Sequence, residues 1–128
     1  EGFAVMRKSR FKFTLSRVAD LYNYGSVVQS RLVGWLQSAY TLYGENLAGV
    51  AGSVAHTGEG EWTVKTAKKL KVPVPIIKGS FDFRVTSTRR PSYTGKILSA
   101  LRNQFGGHAI GIEKVKMKKE KVQGKRKK

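Results

Sequence analysis

Chemistry at a protein site needs titratable or nucleophilic groups that converge. This chain of 128 residues carries few of them: two histidines, His56 and His108, and eight acidic residues, Asp20 and Asp82 among them. Cysteine is absent, which excludes disulfides, thiolate metal ligands and cysteine nucleophiles together. His56 stands beside the glycine-rich Gly58-Glu59-Gly60 turn and His108 at the head of an expected strand, positions where a surface or internally satisfied imidazole is the ordinary reading. The nearest approach to a phosphate-binding loop, Gly95-Lys96-Ile97, lacks the upstream glycine and the terminal hydroxyl of that motif. The expectation is a protein that is not an enzyme, with no catalytic residue, metal, cofactor or small-molecule substrate.

Charge supplies the stronger signal. Lys and Arg number 25 against 8 Asp and Glu, a formal charge of +17, and that self-repulsion calls for an anionic partner. Nucleic acid suits it better than a membrane, because no apolar run reaches the ~18 to 20 residues of a spanning helix. Arg84, Arg89 and Arg90 cluster where guanidinium forks could grip phosphates. Lys68, Lys69 and Lys71 add a second basic group, and Lys118, Lys119, Lys125 and Arg126 punctuate a lysine-rich tail suited to threading along RNA. These ten residues form the expected RNA contacts.

The elements that would position them follow from apolar spacing. Phe11, Phe13 and Leu15 alternate with polar residues, the pattern of a half-buried strand. Ser26 and Gln29 read as a capping box opening a helix with the stripe Val28, Leu32, Trp35, Leu36, Ala39 and Tyr43, ended by Gly44. Val50, Val54, Trp62 and Val64 suggest further strand. Pro73 and Pro75 interrupt Lys68 to Gly79, so it is expected to be an extended arm whose Val72, Val74, Ile76 and Ile77 contact a partner protein. Phe81, Phe83 and Val85 alternate as a clear strand. Pro91 and Ser92 open a second helix through Ile97, Leu98, Leu101 and Phe105, closed by Gly106-Gly107, and Ile110 and Ile112 mark a last strand. The expected fold is α+β: a ferredoxin-like βαββαβ sandwich with a four-stranded antiparallel sheet, two helices on one face, and a long arm between strands two and three. Residues 1–10 form an N-terminal extension, 11–113 the domain with its arm at 66–80, and 114–128 a basic tail.

From Phe11 to Ile112 the order of elements and several short motifs resemble the small-subunit ribosomal protein ten family. Phe11-Lys12-Phe13-Thr14-Leu15 ahead of Asp20 is similar to its first strand. Gly52 to Thr57 and Trp62-Thr63-Val64 stand where it has a proline-rich segment and a Phe-Thr-Val strand. Phe81-Asp82-Phe83-Arg84, then Thr86, Arg89 and Arg90, echo its arginine strand, and Pro91, Thr94 and Ala100-Leu101 its second helix. The family's prolines in the first of these segments are missing, as are its histidines where Lys68 to Leu70 and Ser87 stand. The resemblance implies a structural constituent of the ribosome, diverged and mitochondrial, held by ribosomal RNA and neighbouring proteins in the small-subunit head. A mitochondrial large-subunit relative, L-forty-eight, and a free RNA-recognition-motif module are the alternatives; an enzyme on a ferredoxin-like fold is a third.

Overall fold

A serine hydroxyl that accepts the amide of the third residue beyond it satisfies one of a helix's free donors, and two helices here begin that way. Ser30 accepts from the Val33 amide at 3.3 Å to open α3 (Arg31–Tyr43), and Ser92 accepts from the Gly95 amide at 3.1 Å to open α6 (Tyr93–Gly106). Gly44 (φ 70°) and Gly107 (φ 62°) end them in the left-handed region that glycine tolerates. The computed structural model describes residues 1–110. Besides α3 and α6 they contain α1 (Gly2–Lys8), α2 (Leu15–Tyr22), α4 (Glu59–Lys69) and α5 (Pro75–Ser87), and no β-strand is formed among them.

The expected α+β sandwich is therefore overturned, and the physical reason differs by segment. The alternating Phe11 and Phe13 are exposed on a connection, their rings tilted against each other with centroids 6.0 Å apart, and Leu15 is the first residue of α2 instead. Trp62 and Val64 lie within α4. The proline arm is a short turn followed by helix, because Pro75 takes the first position of α5, where its missing N–H costs nothing. The most regular alternation, Phe81, Phe83 and Val85, lies on α5. At about 100° per residue Phe81 and Val85 fall on one side of this helix and Phe83 on the other, Phe81 against His56 and Phe83 on the groove beside Leu98, so period two here does not mark a sheet face. The helix expected from Ser26 starts later, at Arg31. Ile112 and the tail from residue 114 lie outside the described residues.

The core joins α2, α3 and α6: Leu15, Ala19, Leu36, Ala39, Tyr40, Ile97 and Ala100 are buried together with Leu47 and Val50 of the loop after α3. Alanines at the crossings let the helix backbones approach. Tyr40 Oη lies 2.9 Å from Tyr93 Oη, and Tyr93 in turn donates to the Glu45 carbonyl at 2.7 Å, so Tyr40 is the donor of the pair. Burial first, then the Tyr93 contact, push the Tyr40 phenol upward and keep it neutral. α4 and α5 pack chiefly on each other as a hairpin beside this bundle. Its buried residues are few, Ala67 and Ser87.

Candidate functional site

The loop between α3 and α4 is what ties the hairpin to the bundle. Gly52 passes so close to α6 that a Cβ on Gly95 would fall 1.8 Å from its carbonyl oxygen. The Ser92 amide donates to that carbonyl at 3.2 Å, and the Ser99 hydroxyl donates to the Ser53 carbonyl at 2.8 Å. On the other side the Val54 amide donates to Ser87 Oγ at 2.8 Å, and Ser87 Oγ donates to the Arg84 carbonyl at 2.6 Å. Val54 and Ser87 are both almost fully buried. This stitching sets the position of the next residues, His56 and Thr57.

Across from them, α6 ends in a turn that brings His108 back. The Gly107 amide donates to the Asn103 carbonyl at 2.9 Å, and Asn103 Nδ2 donates to the His108 carbonyl at 3.0 Å. Asn103 is itself held by the Tyr43 hydroxyl at 3.1 Å. The His108 ring meets Phe105 edge-on, and a Cβ on Gly106 would stand 2.7 Å from its Nε2. Gly106 thus leaves room for the imidazole, and Gly107 turns the chain that carries it.

The result is a cleft of about 500 Å³ lined by His56, Glu59, Phe81, Arg84, Arg102 and His108. A smaller cavity of about 350 Å³ shares His56, Arg102 and His108 and adds Ser53 and Ser99. His56 meets Phe81 edge-on at 5.7 Å. Glu59 belongs to the same field: a hydrogen bond from Thr57 first, then one from its own backbone amide, then the charges of Arg102 and Arg84, hold its carboxyl below the ordinary range despite the small opposing effect of desolvation. Two guanidinium groups stand against one carboxylate here, with two imidazoles that can donate or accept, an arrangement suited to an anion carrying several oxygens.

The expected contact residues are scattered by comparison. Arg84 faces the cleft. Arg89 and Arg90 are exposed beyond α5, and Lys68, Lys69 and Lys71 are exposed at the end of α4. Val72, Ile76 and Ile77 are exposed as well, with Val74 half-buried. Lys118, Lys119, Lys125 and Arg126 lie outside the described residues. Sequence reasoning set His56 and His108 aside and passed over Arg102. The signal that could have found Arg102 and His108 was the run between them, an arginine and a histidine bracketing a Gly-Gly helix end.

No protein-family profile matches the chain. Two curated proteins do. The Bacillus subtilis protein YqeC, named as a candidate 6-phosphogluconate dehydrogenase, is 41% identical over 109 residues, 85% of this chain and 36% of that protein. The matches are to dehydrogenases. A Haloferax volcanii protein, named 6-phosphogluconate dehydrogenase, NAD(+)-dependent, decarboxylating, is 33% identical over 110 residues, 86% of this chain and 37% of that protein. The chain spans little more than a third of the length of these relatives. Their similarity overturns the ribosomal resemblance and, with it, the expectations of a structural ribosomal protein with RNA and head-protein partners, of a non-enzyme, and of a protein without a small-molecule substrate. Short motifs of alternating apolar and basic residues recur by chance, whereas identity at this level along most of the chain does not.

Proposed function

We propose that this chain is the helical, substrate-holding part of a dehydrogenase acting on a phosphorylated sugar acid of the 6-phosphogluconate type. The observation that carries the reading is the convergence of Arg84 and Arg102 with His56 and His108 in one cleft, in a chain whose relatives bear that enzyme's name. A sugar acid phosphate has an anion at each end and hydroxyls between. The planar guanidinium forks suit its phosphate or carboxylate oxygens, and the imidazoles can donate to or accept from its hydroxyls.

The NAD named for the Haloferax protein finds no counterpart among the residues described. Dinucleotides are ordinarily held at a glycine-rich turn between a parallel strand and a helix, and the described residues form no strand. These residues do not fit that group, and the reading gives them the substrate alone.

Titration with 6-phosphogluconate, followed by NMR at His56 and His108, tests the reading. Saturable shifts at both imidazoles are expected, with gluconate binding at least tenfold more weakly, and Arg102→Gln should weaken 6-phosphogluconate at least tenfold while the helical circular dichroism stays unchanged. Absence of saturable shifts in the cleft, or equal binding by the folded Arg102→Gln variant, would sink it.

A further inference from the structure

A cavity of about 300 Å³ lies where the end of α1, the connection into α2 and the loop after α3 meet, and it shares no residue with the histidine cleft. Arg7 and Lys12 line it. Arg7 is held from two sides: its guanidinium lies 4.3 Å over the Tyr93 ring, and its Nη2 donates to Asn46 Oδ1 at 2.7 Å. Both contacts are with neutral groups, so they fix the fork without cancelling its charge. Ion pairs among the described residues join Lys65 to Glu61 and Lys78 to Asp82, and leave both cations of this cavity unpaired. The carboxylate in the lining is turned to α2, where Glu45 Oε1 accepts from the Ser16 amide at 2.8 Å and the Ser16 hydroxyl at 2.6 Å. Aromatic rings complete the wall. Phe11 and Phe13 stand 59% and 44% exposed, outside the buried core, and Arg10 adds a third cation 5.1 Å over the Phe11 ring.

We propose that this cavity binds a nucleoside monophosphate, with the base against Phe11 and Phe13 and the phosphate on Arg7 and Lys12. Two unpaired cations suit a phosphate monoester, with about two negative charges near neutral pH, better than a carboxylate with one. A base presents a flat π face that stacks on exposed rings whatever its identity. A bare phosphate would leave those rings uncovered. Polar groups for a ribose stand in the same lining: Ser9 Oγ, which donates to the Met6 carbonyl at 2.8 Å, can still accept, and the Asn46 amide nitrogen can donate. The volume is at the small end for a ligand site, which fits a mononucleotide and is short for a dinucleotide.

The test titrates the chain with AMP, with ribose 5-phosphate, which lacks the base, and with adenosine, which lacks the charge, following the ring signals of Phe11 and Phe13 by NMR. AMP should shift both rings saturably and bind at least about tenfold more tightly than either fragment. Phe11→Leu with Phe13→Leu should bring AMP down to the level of ribose 5-phosphate. Arg7→Gln should weaken AMP at least about tenfold. Because Arg7 also packs on Tyr93, Lys12→Gln on the exposed connection is the second variant, and it should weaken AMP without changing the melting temperature. Arg102→Gln, in the histidine cleft, should leave AMP binding as it is. The proposal is overturned if AMP moves neither ring, if ribose 5-phosphate binds as well as AMP, if Lys12→Gln binds AMP like the unaltered chain, or if Arg102→Gln abolishes the binding. None of these outcomes depends on 6-phosphogluconate, so this proposal and the functional reading can fail separately.

Discussion

Gly95 shows how much one missing methyl group can decide. Its helix presses on the Gly52 carbonyl, where an added Cβ would lie 1.8 Å from the oxygen and 2.7 Å from the carbon. Gly52 is tight in the same way, facing the Ser92 backbone at 2.7 Å. Backbone cannot step aside as a flexible side chain can, so Gly95→Ala must displace the loop from α6. The expected cost is on the order of 3 kcal/mol, near the upper end for overpacking, read as a lowered midpoint in urea. Because the same loop carries His56, cleft binding should weaken in parallel. A loss below about 0.5 kcal/mol, the size of an ordinary surface substitution, would mean the two backbones are not in contact in solution.

Among the elements, α2 is anchored at its first turn from a distance. Glu45 Oε1, in the loop after α3, accepts from the Ser16 amide at 2.8 Å and from the Ser16 hydroxyl at 2.6 Å. A carboxylate placed over the first amides of a helix also meets the positive end of its dipole. Desolvation of Glu45 acts to raise its pKa, but the Ser16 hydroxyl and the amides of Ser16 and Leu15 together outweigh it, and the carboxyl titrates below its ordinary value. A depressed folded pKa contributes stability above the unfolded pKa and loses it as pH falls through the folded one. Glu45→Gln should therefore cost about 1 kcal/mol at pH 7, the low end for a hydrogen bond to a charged group because solvent reaches this one. The gap to wild type should close as pH drops below about 4.3, measured by thermal unfolding across pH 3 to 7. A gap that stays constant over that range would assign the effect to packing instead of charge.

At the scale of the molecule, the bundle of α1, α2, α3 and α6 holds the shared core, while the α4–α5 hairpin leaves Trp62, Leu70, Val72 and Ile76 at 72%, 69%, 52% and 82% exposure. Regions with few buried apolar contacts open first. Native-state hydrogen exchange of this chain should thus show α3 and α6 amides protected at least about 100-fold more than those of α4 and the first turns of α5, a difference of about 2.7 kcal/mol in opening free energy. Equal protection throughout would mean that the loop stitching alone makes one cooperative unit. The hairpin supplies Glu59, Phe81 and Arg84 to the cleft, and the bundle supplies Arg102 and His108. An anion held by both halves should consequently slow hairpin opening.

Some of this was legible without a structure. The helices ending at Gly44 and Gly107, and the cap at Ser92, follow from local chemistry: a hydroxyl for a free amide and a glycine for a left-handed turn need only near neighbours. The basic charge was equally plain, but charge names no partner, and RNA was the wrong one to draw from it. Alternation at Phe11 to Leu15 and Phe81 to Val85 misled because a few residues of period two fit more than one backbone: the first falls on an exposed connection that runs into α2, and on α5 Phe81 and Phe83 simply face two different clefts. The cleft was beyond local reading altogether. His56 and His108 are 52 positions apart in the chain, and they line one cleft because Gly52 and Gly95 permit two backbones to touch, Ser87 fastens the hairpin, and Gly107 reverses the chain after Arg102. Each of those contacts joins residues distant in sequence, so only the tertiary structure could turn isolated histidines and arginines into a site.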